Sequence, residues 1–202
     1  MKRTLCNHCH FPEQTCVCKF LGQPVKNHCK ILVLQHPSEV KVTKNTVRLL
    51  SLQLSNLEVV IGESETDFAH VRQQLHSSQC ALLYPSESAK ALSAPAGKET
   101  LPAIETLVVL DGTWKKVHKM LMLNPWLMSL PHVSFAELPK NQYHIRKAEQ
   151  AFSLSTLEAT AHFLHLYEAI SPEPLYRALA GMIEQQTRLM PDHVKQRYLR
   201  DE

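Results

Sequence analysis

Glycine is scarce in this chain, five in 202 residues, and that scarcity excludes whole classes of chemistry. A dinucleotide-binding fingerprint needs three closely spaced glycines and a phosphate-cradling loop needs two ahead of a lysine. Neither can be written onto this sequence. No Gly-x-Ser-x-Gly elbow occurs either, so a serine hydrolase built on that turn is not indicated. No run approaches the roughly 20 apolar residues that a membrane-crossing helix requires, although a hydrophobic content of 44% is ample for a core. Repeats, low-complexity tracts and long linkers are also lacking, and the length fits one domain. The net charge of +3 falls short of the cationic coat of a dedicated nucleic-acid binder. After the basic residues of Met1-Lys2-Arg3 no apolar segment follows, so no secretory signal is read and a cytoplasmic location is the expectation.

Six cysteines are present, and their placement is uneven. Cys6, Cys9, Cys16 and Cys18 make two close pairs joined by a loop containing Pro12, whereas Cys29 and Cys80 stand alone. Two such pairs can wrap four thiolates around one tetrahedral zinc, a structural site with no position left for catalytic water. Disulfides are the rival reading, disfavoured in a reducing compartment and by the small strained rings they would close. His8 and His10 could replace a cysteine ligand, though both are better read as bystanders. Cys80 lacks any nucleophile motif and reads as a small buried hydrophobe. Residues 1–27 are therefore expected to form a zinc knuckle ahead of one larger domain at 28–202.

That larger segment alternates between two periodicities. Strands are expected at Lys30 to Leu34, Leu57 to Ile61, Ala81 to Tyr84, Thr106 to Leu110 and Val133 to Phe135. Helical spacing connects them, at Val47, Leu50 and Leu54, at Phe68, Val71 and Leu75, and at Val117, Met120 and Leu121. Ser155-Thr156-Leu157-Glu158 is a capping-box pattern opening a long helix. A last helix follows the prolines 172 and 174, carried by Leu175, Leu179, Met182 and Ile183. The alternation argues for an α/β fold with a mostly parallel sheet.

Two strand ends run into polar clusters. Leu107-Val108-Val109-Leu110 meets Asp111-Gly112-Thr113-Trp114, and Ile31-Leu32-Val33-Leu34 meets Gln35-His36-Pro37-Ser38-Glu39. Open α/β sheets bind ligands outside the carboxyl ends of their strands, so these clusters are the site candidates. A blander account has Asp-Gly as a turn, Thr113 as a helix cap and Trp114 as a core aromatic. Lys41, Lys44 and Arg48 follow the first cluster, Lys115 and Lys116 the second, and Lys140, His144, Arg146 and Lys147 precede the capping box. If these loops gather at one edge, they ring a pocket with positive charge suited to a phosphate backbone.

With these residues the sequence resembles the DTW-domain family, named for Asp-x-Thr-Trp, and specifically the bacterial tRNA-uridine aminocarboxypropyltransferases. The likeness spans nearly the whole chain. It includes the cysteine knuckle, His36-Pro37-x-Glu39 with Asn45-Thr46-x-Arg48-Leu49-Leu50, Leu83-Tyr84-Pro85, and Leu154-Ser155-Thr156-x-Glu158-Ala159. The resemblance implies a single SPOUT-like α/β domain, related to methyltransferases that bind S-adenosylmethionine at strand ends, often within a knotted chain. It implies transfer of the 3-amino-3-carboxypropyl group of S-adenosylmethionine to N3 of a tRNA uridine, in the variable loop, with release of methylthioadenosine.

Under that reading Asp111 accepts the imide proton or orients the base, Trp114 stacks on the base or shapes the sulfonium pocket, and Thr113 fixes the loop. The cofactor is expected at Leu83, Tyr84, Pro85, Leu110, Ser155 and Thr156, its carboxylate on the amides of the capped helix end. Lys41, Lys44, Arg48, Lys115, Lys116, Arg146 and Lys147, with the zinc knuckle, are expected to hold tRNA. His36 and Glu39 stay open between ribose recognition, base recognition and loop architecture. The alternatives are a SPOUT-like RNA methyltransferase and a non-catalytic zinc-knuckle RNA-binding module. No long apolar stripe demands a partner, so a monomer is expected.

Overall fold

A computed structural model describes residues 4–75, 79–93, 103–139, 154–188 and 190–191. Six strands form one sheet: β1 (Lys30–Gln35), β2 (Leu57–Ile61), β3 (Cys80–Leu83), β4 (Lys90–Leu92), β5 (Thr106–Asp111) and β6 (His132–Phe135). Their order is β2-β1-β5-β3-β6-β4, and every pairing is parallel. The helices are α1 (Val47–Gln53), α2 (Ala69–Gln74), α3 (Trp114–Leu123), α4 (Pro125–Met128), α5 (Thr156–Glu168) and α6 (Glu173–Arg188). None among the described residues is long and apolar enough to cross a membrane.

The central strands are apolar at nearly every position because both faces are covered. Ile31, Val33, Leu107 and Val109 face one core, closed by α1, α5 and α6. Leu32, Leu34, Leu82 and Val108 face the other, closed by α2, α3 and α4. The expected strands are all present, with β1 and β5 each reaching one residue further, β6 starting one residue earlier and β3 shifted one residue towards the N-terminus. β4 was not expected: three residues with only Leu92 buried leave no period to detect.

The extra residues of β1 and β5 matter. Register sets Gln35 directly beside Asp111 at the carboxyl edge. From β1 the chain moves outward to β2, whereas from β5 it moves to the opposite side, to β6. This reversal opens a crevice between the two strands, the place where such sheets bind ligands. The α5 end is delivered to it by the expected capping box: Ser155 Oγ accepts from Glu158 N at 3.3 Å and Glu158 Oε2 accepts from Ser155 N at 2.8 Å. Ala169, left-handed at φ 56°, ends that helix.

The cysteine loop is stitched by a bridge between Leu5 and Pro12 and two single 3-10 turns, Glu13–Thr15 and Cys18–Phe20. Its Cys9, Phe11 and Val17 are buried in the core that holds α1 and α6. Phe20 lies so close to α6 that a Cβ on Gly181 would sit 2.1 Å from its ring, so the approach requires glycine there.

Candidate active site

Asp111 is 2% exposed, and its side chain joins three separate segments. Thr156 Oγ1 donates to Oδ1 at 2.6 Å, while Gln35 Nε2 and Asn45 Nδ2 donate to Oδ2 at 2.9 and 2.7 Å. Asn45 Oδ1 in turn accepts from Gln35 Nε2 at 3.2 Å and from Val47 N at 2.9 Å, fixing the start of α1. The backbone joins in, with His36 N donating to Asp111 O at 2.9 Å. One carboxylate thus clasps β1, the loop before α1 and the tip of α5 around the crevice.

The α5 tip has little left for an external carboxylate. Leu157 N donates to Thr46 Oγ1 and Glu158 N to Ser155 Oγ, both at 3.3 Å. Glu158, 1% exposed, adds a carboxylate of its own to that turn.

Gly112 lets His36 and α3 close over the clasp: a Cβ there would lie 3.2 Å from Lys116 Cβ and 3.7 Å from His36 Cβ. Thr113 occupies the N-cap position of α3 without a side-chain capping bond. Trp114 is 41% exposed, so it is not a core aromatic. Thr113 thus holds the cap position without the capping bond, whereas the core reading of Trp114 fails and its indole stands uncovered at the start of α3.

His36 Nδ1 accepts from Ser38 N at 3.1 Å, which leaves the ring proton on Nε2 to be donated to Glu63 Oε1 at 3.1 Å. Lys119 and then His36 hold the Glu63 carboxyl below its ordinary value. Glu39, 5% exposed, pairs with Lys116 Nζ at 2.7 Å. Glu39 thus fastens the loop after β1 to α3.

Leu83 closes β3, and Tyr84 N donates to Val133 O at 3.0 Å with its ring edge-on to His132. Pro85 is exposed, and Leu110 is half-buried next to Asp111. Leu83 to Pro85 and Leu110 therefore share the carboxyl edge with the clasp, and Thr156 is part of it. Among the expected tRNA cations, Lys41 and Lys115 are exposed and Lys44 is half-buried. Arg48 lies over the Phe11 ring at 4.8 Å and donates to His10 O at 3.3 Å, so it also secures the cysteine loop. Lys140, His144, Arg146 and Lys147 lie outside the described residues.

The model of the DTW domain matches residues 3–187. This chain belongs to the DTW domain family. A protein named tRNA-uridine aminocarboxypropyltransferase 2 from Drosophila melanogaster is 30% identical over 174 residues, covering 83% of this chain and 68% of that protein. The protein of the same name from Macaca fascicularis is 28% identical over 207 residues, covering 96% and 69%. One from Mus musculus is 28% identical over 173 residues, covering 83% and 57%. No solved structure matches.

The cysteines of this DTW domain meet as their spacing suggests. The four Sγ atoms of Cys6, Cys9, Cys16 and Cys18 lie within 4.8 Å of one another. Cys6 to Cys18 and Cys9 to Cys16 are both 3.6 Å, close to the edge of about 3.8 Å in a tetrahedron of 2.3 Å zinc–sulfur bonds. Backbone amides of Cys9 and His8 hold the Cys6 thiol down at about 6, whereas burial pushes Cys18 up to about 12. A dication would take all four as thiolates and release their protons. This donor set fits zinc, with no histidine needed.

Two members of the clasp, Gln35 and Asn45, carry no role in the sequence reading. The available signal was positional: Gln35 follows its apolar run as Asp111 follows its own, at the same height in adjacent strands.

Proposed function

We propose that this DTW domain transfers the 3-amino-3-carboxypropyl group of S-adenosylmethionine to N3 of a tRNA uridine and releases methylthioadenosine. The observation that carries the reading is the Asp111 clasp at the sheet's switch point, in a chain whose relatives are named for that transfer. In the reaction the N3–H proton passes to solvent water and an N3–carbon bond forms at the chain carbon attached to sulfur. The carbon–sulfur bond breaks, and the sulfur departs as a neutral thioether.

The sulfonium activates all three of its carbons, so the protein selects one by placing the nucleophile in line with it. Thr156 and Leu110 border the clasp on the side of β3, with Leu83, Tyr84 and Pro85 beyond, and this side suits S-adenosylmethionine. The exposed face of Trp114 suits stacking on a base. Both Asp111 oxygens already accept hydrogen bonds, which favours orientation of the reacting groups over proton abstraction. Zinc in the cysteine loop is structural in this reading, and it holds Arg48 through His10 and Phe11. Kinship of the sheet with SPOUT enzymes, action as a monomer and a cytoplasmic location belong to the same proposal.

The test is incubation with unmodified tRNA and S-adenosylmethionine labelled in the aminobutyrate carbons. Label in a uridine, with methylthioadenosine released, supports the reading. S-adenosylhomocysteine as the product would replace it with methyl transfer. Cofactor-independent tRNA binding without turnover would replace it with a binding module.

A further inference from the structure

A second feature adjoins the clasp on the side of β1 away from β5: a pocket of about 160 Å³ between α1 and the sheet. Val40, Val47 and Val59 give it apolar walls, Gln35 and Asn45 reach it from the clasp, and Arg48 lines it from α1.

Gln35 is 6% exposed, and its amide orientation is fixed. Nε2 donates to Asn45 Oδ1 and Asp111 Oδ2, and an ionised carboxylate can only accept, so Oε1 must point elsewhere. That oxygen accepts from none of the described residues. Among them no fully enclosed side-chain polar atom lacks a partner, so Oε1 keeps some exposure, and Gln35 is a lining residue of the pocket. Asn45 Nδ2 gives one hydrogen to Asp111 and has a second. The pocket therefore presents an acceptor beside a donor, between aliphatic walls.

An adjacent donor and acceptor on a flat ring are what a nucleobase offers along its pairing edges. The charge around the opening fits the rest of a nucleotide. Arg48 gives one hydrogen bond to His10 O and retains others, and Lys41 is exposed one residue after Val40. An anionic phosphodiester matches this excess of cations better than S-adenosylmethionine, whose sulfonium, ammonium and carboxylate leave it net cationic.

We propose that this pocket holds a nucleotide flanking the reacting uridine, with its base on Gln35 and Asn45 and its phosphate near Arg48. The occupant is a neighbour and not the reacting base, because a uracil giving N3–H to Gln35 would turn its nucleophilic atom into the pocket floor. The proposal rests on the transferase reading and adds to it a site of RNA selection.

Ser51 lines the pocket from α1, is exposed, and bonds only to Val47 O of its own helix at 3.2 Å. Ser51→Tyr therefore fills the opening without touching the clasp. With unchanged circular dichroism and melting, it is expected to raise KM for tRNA about tenfold or more and to leave S-adenosylmethionine affinity alone. Arg48→Gln is expected to reduce the slope of log affinity against log salt by about one. An abasic nucleotide next to the target should raise KM in the wild type and add nothing further in Ser51→Tyr. Wild-type KM in Ser51→Tyr would overturn the proposal. So would loss of S-adenosylmethionine affinity with RNA binding intact, which would place the cofactor in the pocket. A wild-type protein inert on every tRNA would overturn the transferase reading instead, while direct titration of short oligonucleotides against Ser51→Tyr would still judge the pocket.

Discussion

Replacing Asp111 tests the clasp most directly, because the alanine and asparagine variants are expected to diverge. Asp111→Ala removes the acceptor of Thr156 Oγ1, Gln35 Nε2 and Asn45 Nδ2 together. Donors left unmet in a buried site cost about 1–3 kcal/mol each. Even with partial relaxation the loss should be about 3–6 kcal/mol, a large part of the roughly 5–15 kcal/mol that holds a domain together. Asp111→Asn behaves differently. Its carbonyl can accept from the two amides, and its NH2 can donate to Thr156, whose hydroxyl turns to accept. Three bonds persist but lose their charge, for a cost of about 1–3 kcal/mol. Urea unfolding at constant slope measures both values. Alanine costing under about 1 kcal/mol would refute the clasp. The asparagine variant also separates the two catalytic roles. An orienting Asp111 predicts turnover within about tenfold and an unchanged pH–rate shape, whereas a base predicts a loss of about 10² to 10⁴.

Gly181→Ala sets two effects against each other: alanine favours the helix by about 1 kcal/mol, but its Cβ would overlap Phe20 at a cost of about 1–3 kcal/mol. Net destabilisation with weaker zinc retention is expected, and a full helix-propensity gain in thermal melts would contradict the packing. Reduced protein should carry one zinc by metal analysis, and chelation should lower the melting temperature and the affinity for tRNA more than that for S-adenosylmethionine. Glu63 is held low by Lys119 and His36, and Asp67 by the amides of Glu63 and Ser64. Carboxyls lowered by folding bind more protons when unfolded, so their stability is present above the ordinary carboxylate range and lost as pH falls through the lowered values. Urea midpoints from about pH 6 to about pH 3 should fall less steeply in Glu63→Gln and Asp67→Asn.

The sheet is legible because Ile31 to Leu34 and Leu107 to Leu110 are covered on both faces, which writes burial into the sequence as unbroken apolar runs. The helices are legible through their single buried stripe, and Asp111 because a carboxylate at the end of a buried strand needs a reason. That it pairs with Gln35, Asn45 and Thr156 is not legible. An asparagine in a loop and a glutamine at a strand end look like ordinary solvated residues until strand order brings them together, and strand order is a long-range property. Trp114 shows the same limit: one indole fits a core or an open crevice equally well, and only α3's rotation against the sheet decides. β4 is invisible because pairing with β6, not its own side chains, makes it a strand.

The clasp draws its members from the first strand, the loop beyond it, the fifth strand and the start of the fifth helix. Its bonds to Asp111 span 45 to 76 residues, so none of those can form before distant segments have met. The clasp's geometry therefore depends on long-range contacts rather than on any preformed hairpin or helix pair. Conversely, a fluctuation that detaches the α5 tip would erase the site while most of the sheet stays intact. Amide exchange at Leu157, bonded across to Thr46, would report how often that happens.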